Sequence, residues 1–202
     1  MKTYVFAIGA ACVGLMSCAG PSTYSASDPV VQIDGFYDDG ASDRDLKLVV
    51  FGDPFPGPQD QFARTVEADL RDAPVGKSPT RLLLSPGPSA KPIYRLVYVF
   101  SPSPDMIGNA ICEHQLKPEA NTDFPPAASG APVPGGEVFA TAAFCVEYRA
   151  VSEISGQTPA DGPGDVRLYN LTRQMAAEVF RPDIHPHTGN PLGNAAAPRA
   201  AP

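Results

Sequence analysis

The sequence predicts an α+β fold: a mostly antiparallel sheet of about three to five strands, two helices on one face, and a disordered tether and tail. Two observations lead to this class. Residues 46–51 and 93–100 are apolar, β-branched runs typical of buried strands. Two further segments, one between these runs and one near the end of the chain, repeat apolar residues at helical spacing.

The first half of the domain is expected to supply three strands and a helix. Residues 46–51 form the first strand, which ends in a run of Gly, Asp and Pro. A helix is expected over 58–72. Its apolar stripe consists of Phe62, Val66 and Leu70. Residues 80–84 fit a short strand, and 93–100, the strongest strand pattern in the chain, fits a central one.

The second half is expected to add two strands and a helix. Residues 110–112 fit a returning strand, and the Pro, Gly and Ala of 117–136 indicate an irregular loop. Residues 138–148 alternate as a strand does, although their alanines leave a helical reading open. Asp165 is a suitable N-cap for the last helix. The stripe of that helix consists of Leu168, Leu171, Met175 and Val179.

Composition limits the classes of partner. The formal net charge is −7, and we find no basic cluster, so nucleic acid is not an expected partner. With 18 glycines and 24 prolines, much of the chain is expected to be loop or tail. We divide the chain into a signal peptide (1–17), a lipidated N-terminus and tether (18–44), one domain (45–182) and a disordered tail (183–202).

The first eighteen residues have the pattern of an export signal that ends at a lipid attachment site. Lys2 supplies a positive charge, and the apolar run over 4–16 is shorter than the roughly 20 residues of a membrane-spanning helix. It ends at Leu15–Cys18, whose sequence Leu-Met-Ser-Cys resembles the bacterial lipobox. The resemblance implies cleavage before Cys18 and acyl chains on that cysteine. Ala19 after it implies the periplasmic face of the outer membrane, by the sorting rule of this class.

Other readings of the N-terminus were weighed against this one. An ordinary signal peptide cleaved near Ala19, or an uncleaved anchor, would leave Cys18 without lipid. Cys12 is a competing lipidation site, but no bulky residue stands at the required position before it.

The remaining cysteines fit an exported protein. Once Cys12 leaves with the signal and Cys18 carries lipid, Cys112 and Cys145 are left, and in an oxidising periplasm they are expected to pair. Closing a loop of that length stabilises the fold by about 3.5 to 4 kcal/mol by the chain-entropy argument. The alternative is a reactive thiol. His114 lies two residues from Cys112, but on an extended segment that spacing is simple alternation.

Candidate metal ligands cluster only near the end of the chain. Asp183, His185 and His187 lie within five residues, and two histidines two apart can share a metal on an extended segment. They fall in a Pro-rich tail without apolar periodicity or an evident third ligand. We therefore expect no metal site and no cofactor.

Two further groups of residues were weighed for chemistry or binding. Glu147 and Arg149 would share a strand face, with Glu153 following, and an exposed ion pair explains them better than acid–base catalysis. On the strand over 93–100, three aromatic residues share one face and Arg95 lies on the other. The aromatic residues, Tyr94, Tyr98 and Phe100, fit a core beneath the helices better than a binding row.

Three short motifs resemble one group of proteins. They are Phe51–Phe55 before a helix, the strand end Phe100–Pro102, and the pair Phe144–Cys145. Together they are similar to a group of uncharacterised proteobacterial lipoproteins over roughly residues 45–182. The resemblance implies no activity.

The sequence thus predicts a membrane-anchored envelope lipoprotein with a non-catalytic domain that binds or scaffolds another envelope component. No catalytic residue is predicted. A periplasmic enzyme of unrecognised type and a small-ligand carrier stay as alternatives, and each requires a deep pocket.

Overall fold

The computed structural model describes most of the folded domain, namely residues 22–27, 33–55, 57–75, 80–101, 111–113 and 136–181. The proposed lipidation site Cys18 and the predicted signal peptide lie outside these residues. So do His114 and the candidate metal ligands of the tail. Within the described part of the chain, no helix is both long and apolar enough to span a membrane.

The described residues form six strands and three longer helices around one sheet. In chain order they are β1 Ser22–Ser27, α1 Ile33–Gly40, β2 Asp45–Phe51, α2 Gln59–Leu70, β3 Arg81–Leu83, β4 Tyr94–Ser101, β5 Glu137–Val146, β6 Arg149–Pro159 and α3 Val166–Val179. The strand order is β1-β6-β5-β4-β2-β3. β1, β6, β5 and β4 pair antiparallel, whereas β2 pairs parallel with both β4 and β3. The predicted α+β class is confirmed.

One face of the sheet carries the helices and the main core. The predicted stripes of α2 and α3 are buried, and so is the aromatic face of β4. Tyr37 of α1 joins this layer, because its ring packs edge-on against Phe180 at 5.4 Å between centroids. The expectation that the β4 aromatic residues form core is confirmed, since Tyr98 and Phe100 are 0% and 2% exposed.

The described part of the fold reaches back to Ser22, well before Asp45, so the predicted tether is wrong for residues 22–27 and 33–44. β1 pairs with β6 along its whole length through backbone hydrogen bonds, which need no apolar pattern in the sequence. α1 is fixed by buried side chains. The Tyr37 hydroxyl donates to the Val75 carbonyl at 3.0 Å, and the Tyr94 hydroxyl donates to Asp39 at 2.6 Å.

The second half of the domain differs from the prediction at residues 111–113 and in the presence of β6. Residues 111–113 are helical, so the strand predicted over 110–112 is wrong. This helical segment lies over the second face of the sheet. There, Ile111 and Cys112 belong to a smaller apolar cluster with Val97 and Val99. β5 is a strand, which settles the choice left open for 138–148. β6 follows after a two-residue turn and was not predicted, although it has eleven residues.

Candidate functional site

The strand register gives the domain two distinct ends. Ser22 lies opposite Gln157 near the end of β6, and Ser101 lies opposite Phe139 near the start of β5. The "Ser22 end" therefore combines the start of β1 with the ends of β2, β4 and β6, together with the loops that lead into α2 and α3. The "Tyr148 end" combines the β5–β6 turn with the start of β4.

Large exposed apolar side chains occur at both ends. Among the described residues, Ile93 is 41% exposed and Tyr148 is 53% exposed, and both belong to the Tyr148 end. Val166, the first residue of α3, is 66% exposed at the Ser22 end. Tyr169 is 37% exposed one helical turn further on, where the Arg173 guanidinium lies 5.2 Å from the centre of its ring. Exposed Tyr and Ile side chains on rigid backbone are typical binding anchors.

The β5–β6 turn consists of Glu147 and Tyr148, and its backbone is held in an uncommon conformation. Glu147 has a φ of +53°, in the left-handed region that non-glycine residues avoid. Such a conformation costs about 1 to 3 kcal/mol and persists only where the surroundings hold it. One such restraint is the Glu147 N–H, which donates to the Ile93 carbonyl at 2.7 Å. Tyr148 is therefore displayed beside Ile93.

Arg95 supplies the second restraint from beneath the turn. It lies on the second face of the sheet, as predicted, and is only 4% exposed. Its Nη2 donates to the Glu147 carbonyl and, at 2.7 Å, to the Cys112 carbonyl. Its Nε is buried and has no hydrogen-bond partner among the described residues. Burial lowers the pKa of the guanidinium, but an arginine stays charged at neutral pH.

The disulfide supplies the third restraint and confirms the predicted pairing. Cys112 and Cys145 are bonded, with their Cα atoms 5.6 Å apart. Cys145 lies opposite Arg95 in the β4–β5 register and two residues before Glu147. The bond therefore fixes residues 111–113 over β5, where the Cys112 carbonyl meets the Arg95 guanidinium. The Glu147–Tyr148 turn, the Arg95 side chain and the Cys112–Cys145 disulfide are therefore in contact, and we call them together the Tyr148 site.

The carboxylates weighed for catalysis do not come together as predicted. Glu147 lies in the turn, so it does not share a strand face with Arg149, and that expectation is wrong. Glu153 is buried on β6 at 7% exposed. Within the described ranges, no group of three or more His, Cys, Asp and Glu side chains could hold a metal ion.

A shallow groove lies at the Ser22 end, where the loop after β2 meets the loop after β6. Its walls include Asp53, Pro58 and Pro163, with Phe55 and Phe62 beneath, and its volume is about 70 Å³. That is small beside pockets that enclose a drug-sized ligand. The loop after β2 requires its glycine, because a Cβ on Gly52 would lie 2.0 Å from the Phe100 carbonyl oxygen.

The sequence predicts the face on which Arg95 lies and the pairing of the two cysteines, but not the turn. The signal available was the polar pair at 147–148 between two stretches of strand-forming residues. Because the alternating pattern continues over the whole of 138–148, the turn at its end does not stand out from the sequence.

Comparison with known proteins yields no family. No family model and no curated protein match the chain. Among solved structures, it resembles the PelC dodecamer from Paraburkholderia phytofirmans, with a TM-score of 0.37 and 11% identity over 80% of this chain and 96% of that chain. A variant PelC dodecamer from the same organism gives a TM-score of 0.36 and 10% identity over 80% and 95% of the two chains. A likeness of this degree carries no inference about the present chain.

Proposed function

We propose that the protein is a bacterial envelope lipoprotein, anchored through Cys18, whose domain binds another envelope protein through the Tyr148 site. The lipobox pattern supports the anchor, and Ala19 after the cysteine supports the outer membrane as its location. The disulfide supports an oxidising compartment, because such bonds persist mainly outside the cytosol. Lipid chains hold the protein firmly when two or more are attached.

The observation that carries the binding role is the restrained Glu147–Tyr148 turn. Three separate restraints hold a two-residue turn that buries little of its own surface and exposes more than half of the Tyr148 side chain. An exposed tyrosine on a pre-organised backbone loses little entropy when it enters a partner's pocket. Strained backbone is also more frequent at functional sites than elsewhere.

Membrane anchoring makes a small site sufficient. Confinement to one surface raises the effective concentration of the domain near other membrane-bound proteins. A contact built on Tyr148 and Ile93 can then be occupied even though its intrinsic affinity is modest. The shallow groove gives the enzyme and carrier alternatives no specific support.

The test is photo-cross-linking in cells, with p-benzoylphenylalanine incorporated at position 93 in place of Ile93. We expect capture of a defined envelope protein by the full lipidated chain. Tyr148→Ala should weaken that capture by about 30-fold, since removing an interface anchor costs about 2 kcal/mol or more. Tyr169→Ala, at another exposed tyrosine, is the matched control and should leave capture unchanged.

Two results would refute the proposal. Equal capture by the Tyr148→Ala and Tyr169→Ala variants would remove the Tyr148 site from the interaction. Separately, a Cys18→Ala variant that still sediments with membranes, when neither form incorporates labelled fatty acid, would remove the lipid anchor.

A further inference from the structure

We infer that the Ser22 end of the domain rests on the lipid surface, so that Val166 contacts the bilayer and the Tyr148 site points away from it. This inference rests on the proposed lipid anchor at Cys18. Only three residues lie between Cys18 and Ser22, and the four Cα–Cα steps that join them reach about 14 Å when fully extended. The start of β1 therefore stays within that distance of the acylated cysteine.

β1 is a fixed part of the domain and not a flexible extension of the anchor. All six of its residues pair with β6. Thr23 also joins β1 to α3, because its hydroxyl donates to Glu178 at 3.1 Å and accepts from Gln174 at 3.1 Å. Ser22 therefore moves with the domain, and the short reach of the anchor keeps this end of the domain near the lipid.

The surface that would face the lipid includes one large, well-exposed apolar side chain. Val166 is 66% exposed, the largest exposed fraction among the big apolar side chains of the described residues. Gly57, Pro58 and Pro163 are also exposed, and they line the groove at the same end. None of these residues carries a charge that would have to lose water at the membrane.

Several charged side chains nearby are paired, but this end stays acidic. Arg167 forms ion pairs with both Asp161 at 3.0 Å and Asp165 at 2.6 Å, and Arg64 pairs with Asp60. One arginine thus serves two carboxylates, and Asp53 in the groove adds a further negative charge. Pairing lowers the cost of bringing these carboxylates towards a lipid surface, and the remaining negative charge favours zwitterionic over anionic headgroups. We commit to a zwitterionic lipid surface as the occupant of this end.

The orientation has a consequence for the Tyr148 site. The eleven residues of β6 run from the Tyr148 end to the Ser22 end and span about 36 Å at the usual rise per residue. A domain resting on its Ser22 end thus presents Tyr148 about that far from the lipid.

The chain contains no tryptophan, so a single introduced tryptophan reports its own surroundings. We would prepare Val166→Trp and, as the matched control, Tyr148→Trp, in the full lipidated chain. Both positions are more than half exposed, so neither substitution disturbs the core. Each protein is placed in phosphatidylcholine vesicles with and without brominated acyl chains, which quench tryptophan at close range. Circular dichroism checks that both variants are folded.

We expect brominated lipid to quench the tryptophan at position 166 by about half, because the 14 Å reach holds this end at the interface. The tryptophan at position 148 should lose almost none of its emission. Equal quenching at the two positions, or stronger quenching at 148, would overturn the inference. The inference would also be overturned if, in the vesicle-bound protein, a second copy or a partner protein shielded position 166 from lipid.

The same experiment shows separately whether the proposed lipid anchor at Cys18 is absent. Protein that incorporates no labelled fatty acid and does not float with the vesicles would refute the proposed function itself. Protein that floats with the vesicles but lacks quenching at position 166 would refute the orientation alone.

Discussion

Arg95→Met removes the buried guanidinium from beneath the Tyr148 site while keeping most of its volume. The carbonyls of Glu147 and Cys112 then lose charge-assisted hydrogen bonds, each worth about 1.5 to 3 kcal/mol. Two effects oppose this loss. The variant no longer buries a cation, and it no longer buries the Nε, which has no hydrogen-bond partner among the described residues; such a buried group costs about 1 to 3 kcal/mol. The net expectation is a destabilisation of about 2 kcal/mol.

The assay is urea unfolding at pH 7 without reductant, so that the disulfide stays intact. Arg64→Met is the matched control, because Arg64 and Asp60 form an exposed ion pair within one helix; its loss should cost no more than about 0.5 kcal/mol. Amide exchange gives a local measurement, since the Glu147 N–H that donates to Ile93 should exchange faster in Arg95→Met. If Arg95→Met were as stable as the wild type, the reasoning would be refuted. The buried guanidinium would then cost as much free energy as its hydrogen bonds contribute, as buried ionic groups sometimes do.

Three further predictions concern the same domain. Glu147→Asn should stabilise it by about 0.5 to 1 kcal/mol in urea unfolding, because asparagine tolerates a positive φ; a loss of stability would show that the turn is not strained. Replacing Cys112 and Cys145 together by alanine should lower the free energy of unfolding by about 3.5 to 4 kcal/mol, and an unchanged value would assign the disulfide no stabilising role. Burial raises the pKa of the Asp69 carboxyl to about 6, and the positive charge of Arg173 opposes this rise. Because the folded state binds this proton more tightly than the unfolded state, the protein loses stability as pH rises from about 4 through 6. Asp69→Asn should therefore stabilise the protein by about 1 kcal/mol at pH 7, after allowance for solvent screening, and by almost nothing at pH 4; equal gains at both pH values would contradict this assignment.

The elements predicted correctly are those whose apolar residues are buried by the fold. β2, β4, α2 and α3 each bury a periodic set of side chains, and burial is what hydrophobic periodicity records. β1 could not be found in this way. Half of its six residues, Ser22–Ser27, are serine, and what holds it to β6 is backbone pairing.

The candidate site was less accessible to sequence reasoning, because its contacts join distant parts of the chain. The face on which Arg95 lies follows from strand alternation and was predicted. Its hydrogen-bond acceptors, however, are 17 and 52 residues away along the chain. No local pattern encodes such contacts. The cysteine pairing was predictable because the proposed signal peptide and lipid attachment account for the other two cysteines.

The positions of the anchor and the Tyr148 site explain why a rigid domain suits the proposed role better than a tethered one. A flexible tether would let the Tyr148 site sample many distances from the membrane. Its effective concentration near a partner that binds at one fixed distance from the membrane would then be lower. With β1 paired to β6 and joined to α3 through Thr23, the height of Tyr148 depends on the length of the sheet. The same strand, β6, thus begins at the proposed recognition turn and ends beside the proposed membrane contact. A partner that contacts Tyr148 would therefore need its own binding surface about 36 Å from the lipid, the length over which the eleven residues of β6 extend.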